Sequence, residues 1–281
     1  MIDNLIYDIG MCHGEDTEYY LHCGFNVLAI EANPYLVDQA KIKFSKSIAS
    51  GKLTILNVGI SDTEGTIPFW IDNTSPQFGS FEKDIASRNR APQMIEVTCQ
   101  RLSSILKKYG TPSYIKIDIE GKDYVCLEDL PADDLPKYVS FETGGMDALR
   151  RLNKLGYSKF KCISQFGFIP VEINKSVEQQ NLEKLQSFLV SRNIIIRILR
   201  KVGFRKWILN RILPPAKYNN WVFRSGSSGP FGEDTLGKWH TFTEMEEIYL
   251  SFLAQNEQGK SSSFWIDGLD YSFWTDFHAK L

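Results

Sequence analysis

The chain opens on Tyr7-Asp8-Ile9-Gly10-Met11-Cys12-His13-Gly14-Glu15-Asp16-Thr17, and Ile30-Glu31-Ala32-Asn33-Pro34 follows one βαβ unit later. Ile6 to Ile9 reads as a strand, Gly10 and Gly14 as a tight turn, and Glu15 to Cys23 as a helix, with Gly24 where a helix stop is expected. The next strand, Val27 to Ile30, ends on Glu31. That acid lies ~20 residues past the glycines, the spacing at which a carboxylate meets a ribose in nucleotide-binding α/β folds. Glycines let the backbone approach a ligand, and a carboxylate accepts hydrogen bonds from two vicinal hydroxyls. The loop is not G-x-G-x-x-G, however, and Asp8 stands directly before it. An acid there repels a pyrophosphate, so a cationic ligand such as S-adenosylmethionine (SAM) is a better expectation than NAD.

Apolar strands alternate with helical stretches through the first ~160 residues, which predicts an α/β fold with a mostly parallel sheet and helices on both faces. Pro34 starts a helix running to about Ser47, and Leu53 to Val58 is a third strand with a polar exit through Ser61-Asp62. Thr66 to Ile71 and Ile95 to Cys99 read as added strands around a polar loop carrying Phe78-Gly79-Ser80-Phe81. Leu102 to Tyr109 is helical. Tyr114-Ile115-Lys116-Ile117-Asp118-Ile119-Glu120-Gly121 and Tyr138 to Glu142 are strands that end on acids. Ligands of open α/β sheets bind at the carboxyl ends of the strands. Asp8, Glu31, Asp62, Asp118, Glu120 and Glu142 would gather there.

The formal net charge of -2 gives no broad nucleic-acid footprint. Five cysteines without C-x-x-C spacing point to reduced thiols and away from zinc. No signal peptide precedes the first strand, and no apolar run reaches the ~18 residues of a bilayer span. The expectation is a cytoplasmic protein, peripheral to the inner face of a membrane at most. The division expected is a core over 1–165, a basic helical insertion over 166–220 and a C-terminal strand and substrate lid over 221–281. Between Lys184 and Gly232 there are ten basic residues and no acid, leaving 22 of the 32 bases to face all 34 acids elsewhere. The part from 192 to 217 reads either as a basic amphipathic pair on an anionic membrane or as an insertion packed on the core or across a homo-oligomer. The packed reading is favoured, because Gly203 breaks short apolar faces.

These motifs resemble the FkbM family of SAM-dependent methyltransferases. The matching pieces are Asp8-Ile9-Gly10 with Gly14 and Thr17, Ile30-Glu31-Ala32-Asn33-Pro34, Asn57-Val58-Gly59-Ile60-Ser61-Asp62 with Gly65, and Lys116-Ile117-Asp118-Ile119-Glu120-Gly121. In the tail, Gly226 to Asp234 and Trp274 to Ala279 resemble a subset of the family. Met11 and Cys12 stand where the family's loop commonly has Ala and Asn, which removes a side-chain amide but keeps the glycines.

The resemblance implies a class I methyltransferase fold and O-methylation of a hydroxyl on a sugar, a glycan or a polyketide-like product; the membrane reading of 192–217 would suit a lipid-linked acceptor. The cofactor set that follows is Asp8, Gly10, Met11, His13, Gly14, Asp16, Thr17, Glu31, Ala32, Asn33, Ser61, Asp62 and Asp118. A sugar hydroxyl needs a base to take its proton. Asp118, Glu120 and Glu142 are the candidates, with His240 and His278 second if the C-terminal loop folds over the cleft. A divalent ion held by the three carboxylates is a less favoured route. The alternative to an enzyme is a binding module of the same fold without turnover.

Overall fold

The computed structural model describes residues 1–71, 79–87, 92–142, 145–165, 168–173, 221–224, 226–258, 265–266, 269–270 and 275–281. They form two compact units, Met1–Ser158 with Ala279–Leu281, and Lys159–His278. The basic stretch over 192–217 lies outside the described residues. None of the described helices is long and apolar enough to cross a membrane.

In the first unit the order is β1 (Ile2–Ile9), α1 (Glu15–His22), β2 (Asn26–Ile30), α2 (Pro34–Lys43), α3 (Ser45–Ala49), β3 (Leu53–Leu56), β4 (Gly59–Ile60) and β5 (Gly65–Ile71). It continues through α4 (Lys83–Ser87), β6 (Gln93–Gln100), α5 (Leu102–Tyr109), β7 (Pro112–Ile117), α6 (Asp123–Glu128), β8 (Tyr138–Glu142) and α7 (Met146–Leu155). Five strands lie in the order β8-β7-β1-β2-β3, and every pairing among them is parallel. The last four residues of β1 are buried, as a sheet covered on both faces requires. The order β7-β1-β2 places the exits of β1, β2 and β7 side by side, and the site is built on those exits.

Two local expectations change. The helix from Pro34 breaks at Phe44 (φ -104°, ψ 19°) and resumes as α3. Phe44 is buried there, and a Cβ added to Gly14 would come within 2.6 Å of its ring. The third strand stops at Leu56. Asn57 turns its amide to the carbonyls of Glu31 (2.9 Å) and Ala32 (3.1 Å). Gly59 and Ile60 then leave the main sheet and pair with β6, which with β5 completes a three-stranded sheet.

The second unit holds β9 (Lys159–Ser164), β10 (Ile169–Pro170), α8 (Phe242–Gln258), the antiparallel pair β11 (Trp265–Ile266) and β12 (Leu269–Asp270), and β13 (Thr275–Lys280), whose end counts with the first unit. Its strands run β10-β9-β13. The segment expected as a substrate lid lies in this unit. Ser227, Ser228 and Phe231 are buried, and a Cβ on Gly229 would lie 2.4 Å from the Phe168 ring.

Candidate functional site

Glu31 leaves β2 and is nearly enclosed, at 8% exposure. The Cys12 amide donates to its Oε2 (2.9 Å) and the Asn33 amide to its Oε1 (2.8 Å), so backbone from both sides of the cleft aims the carboxylate. Cys12 reaches this position with a left-handed backbone, φ 53°. Burial pushes the Glu31 carboxyl up to about 7, outweighing the two amides and Lys116, which act to lower it. Burial, then Glu31, pushes the Cys12 thiol up to about 12, so it stays protonated.

The folded chain holds a Glu31 proton that the unfolded chain releases at a lower pH. The associated stability is fully present below the unfolded carboxylate range and is lost as pH rises through about 7. At ~1.36 kcal/mol per pH unit, the swing is on the order of 3 kcal/mol. Thermal melts of the wild type and Glu31→Gln should therefore show the difference moving in the variant's favour between about pH 5 and 8. A constant difference would contradict the assignment.

Beneath the glycine loop lies a buried ammonium. Lys116 is the register partner of Asp8 on the neighbouring strand. Its Nζ donates to the Gly10 carbonyl (3.1 Å) and pairs with Asp118 (3.3 Å), Asp8 (3.5 Å) and Asp16 (3.6 Å). Burial opposes its charge, but Asp118, Asp8 and Asp16 outweigh it and hold its pKa well above the ordinary lysine value. Thr17 donates its hydroxyl to the second Asp8 oxygen at 2.5 Å. Asp8, Asp16 and Thr17 are thus turned into the protein and hold Lys116, whereas Asp118 remains on the cleft. Lys116 heads the Lys116-Ile117-Asp118-Ile119-Glu120-Gly121 motif, with no role of its own expected there. Its signal was the i, i+2 spacing to Asp118, which puts both side chains on one face of the strand.

The exit of β7 forms the facing wall. Asp118 donates its amide to the Ile9 carbonyl (3.0 Å), which brings its own carbonyl against Gly10. Asp123 accepts the Ile119 amide at 3.1 Å, and burial, then Asp118, pushes its carboxyl up to about 6. Glu120 has a left-handed backbone (φ 40°), and the buried Ser80 donates its hydroxyl to the Glu120 carbonyl at 2.9 Å. Between these walls lies an open cleft. Gly10, Cys12, Glu31, Ala32, Asp118 and Glu120 line it, together with an apolar side from Ile30, Leu36, Val58, Ile60, Phe69 and Phe81. Phe69 and Phe81 meet edge to face at 4.9 Å. From the sequence, Phe81 is a loop residue with no role expected of it.

Met11 is buried, Gly14 is the N-cap residue of α1, and His13 is exposed with its carbonyl accepting from Lys43 (3.1 Å). Asn33 caps α2, accepting the Tyr35 amide. Ser61 and Asp62 bond to each other and to Thr63 in a turn, and the cleft is lined instead by Val58, Gly59 and Ile60 just before them. Glu142 is half-buried at the end of β8 and is not part of that lining. His240 and His278 belong to the second unit. His240 contacts Glu172 at 3.2 Å, and burial, then Lys161, drives His278 down to about 3. Among the described residues no group of three or more His, Cys, Asp or Glu is placed to hold a metal ion.

A glycine loop thus follows β1 of the parallel sheet, and a carboxylate follows β2. A family model described as the methyltransferase FkbM domain matches residues 8–205. The chain belongs to the FkbM methyltransferase family. No curated protein matches. Among solved structures it is similar to the methyltransferase FkbM from Methylobacillus flagellatus KT, at 15% identity over 54% of this chain, with a TM-score of 0.35. That match spans 35% of the Methylobacillus chain. It is also similar to a precorrin-6y C5,15-methyltransferase from Geobacter metallireducens GS-15, at 12% identity over 58% of this chain and 69% of that one, with a TM-score of 0.31.

Proposed function

We propose that the chain transfers a methyl group from SAM to a hydroxyl of a sugar, glycan or glycan-like natural product. The observation that carries the cofactor is Glu31, held at the cleft by the amides of Cys12 and Asn33 with lone pairs left to accept two ribose hydroxyls. The donor set agrees. Three aspartates around one lysine leave excess negative charge beside Gly10, which suits the positive charges of SAM and opposes a pyrophosphate. Gly10 fits as well, since a side chain there would collide with Asp118 and close the approach.

When bound, SAM supplies a methyl group already activated by its sulfonium. The protein's part is then alignment, exclusion of water and removal of the acceptor's proton. Glu31 holds the ribose, and Ile60, Phe69 and Phe81 give an apolar surface for the base. Asp118 receives the α-ammonium. Glu120, on the cleft and fixed by its strained backbone, takes the proton from the acceptor hydroxyl. The acceptor class follows from the family resemblance. Incubation with methyl-labelled SAM and a panel of glycans and hydroxylated polyketides should label a glycan acceptor. Label confined to polyketides, or labelled nitrogen, would overturn the acceptor class.

A further inference from the structure

The cluster around Lys116 does more than neutralise buried charge. Its side chain is 4% exposed, and two of its partners, Asp8 and Asp16, are as deeply enclosed, at 0% and 3%. Asp118 differs, with 39% of its side chain exposed and a place in the cleft lining. A single ammonium therefore ties two interior carboxylates to one that a ligand can touch. The same ammonium holds the Gly10 carbonyl at 3.1 Å, and Gly10 packs directly against the Asp118 carbonyl. Both residues are thereby fixed from behind by one group. Both also line the cleft, where the Asp118 carboxylate is open to a ligand's cationic end.

Resting on the SAM reading above, we propose that Lys116 is a positioning residue for the amino-acid end of the cofactor, acting through Asp118 and the Gly10 carbonyl. With one Asp118 oxygen tied to Lys116, the carboxylate is held at a fixed place and orientation. The excess of three carboxylates over one ammonium keeps the position attractive to a second cation, the α-ammonium of the ligand. A ligand that lacks the amino-acid end does not sense this arrangement.

That difference separates positioning from simple structural support. S-adenosylhomocysteine and methylthioadenosine share the adenosine and the sulfur, and only the former carries the amino acid. Isothermal titration of both into the full chain is the test. Lys116→Met should weaken S-adenosylhomocysteine by about tenfold or more, the scale of a lost charge-assisted contact, while methylthioadenosine changes by less than about threefold. Asp118→Asn, which leaves Lys116 paired with Asp8 and Asp16, should show the same selective loss. The double variant should lose little beyond the worse single one, since both act on one contact. Should Lys116→Met fail to fold, Lys116→Gln with Asp8→Asn, which removes a buried carboxylate along with its partner, carries the test. Equal loss for both ligands, or unchanged homocysteine affinity, would overturn the proposal. A wild-type chain that binds neither ligand would defeat the cofactor reading itself.

Discussion

Gly10→Ala is expected to be the most damaging single-methyl change in the first unit. A Cβ at this position would lie 1.7 Å from the Asp118 carbonyl oxygen, and the backbone there has φ +81°. Neither side can give way cheaply. Gly10 donates its amide to Ile30 (2.9 Å), and Asp118 donates its own to Ile9 (3.0 Å), so β2, β1 and β7 would have to part. The expected cost is more than ~4 kcal/mol, the range of overpacking combined with backbone strain. That corresponds to a fall of roughly 10 °C in Tm for a chain of this size. Gly24→Ala is the control. It has a similar φ of +92° with nothing within 4 Å, so it should lose only the ~1–2 kcal/mol of a left-handed residue. Thermal melts compare the two directly, and equal losses would show that the Asp118 carbonyl yields.

Glu120→Gln carries the second large effect, and it falls on rate. The substitution keeps the size of the side chain and removes its basicity. Turnover should drop by ~10²–10⁴, the usual contribution of a general base. SAM affinity should be unchanged, because the contact is to the acceptor. Ser80 fixes the Glu120 carbonyl and leaves the backbone turn in place in the variant. Glu142→Gln, outside the cleft lining, should cost much less. Methyl transfer to an acceptor from the panel, measured alongside SAM titration, separates rate from binding. A wild-type rate in Glu120→Gln would move the base elsewhere.

The parts of this architecture set by local pattern were legible in the sequence. Uninterrupted apolar runs gave the buried parallel strands, and the glycine loop with Glu31 one unit later gave the β1–α1–β2 frame. What stayed hidden depends on partners far apart in the chain. Asp8 looked like a loop acid facing a ligand, yet its register partner across the sheet is Lys116, and the pair turns inward. Asp16 and Thr17 follow it for the same reason. The aromatic wall was hidden because Phe81 lies outside any periodic stretch and is brought to the cleft by the Trp70–Ser80 bridge. The helix from Pro34 reads as continuous until the packing of Phe44 on Gly14 breaks it.

Calorimetric titration of SAM into the wild type and Glu31→Ala decides whether the β1–β2–β7 cleft is a SAM site anchored by Glu31. Saturable binding to the wild type is expected, with a loss of roughly 1–3 kcal/mol in the variant, the scale of charge-assisted hydrogen bonds to two hydroxyls. A wild-type chain that does not bind SAM, or a Glu31→Ala chain that binds it with undiminished affinity, would contradict that assignment.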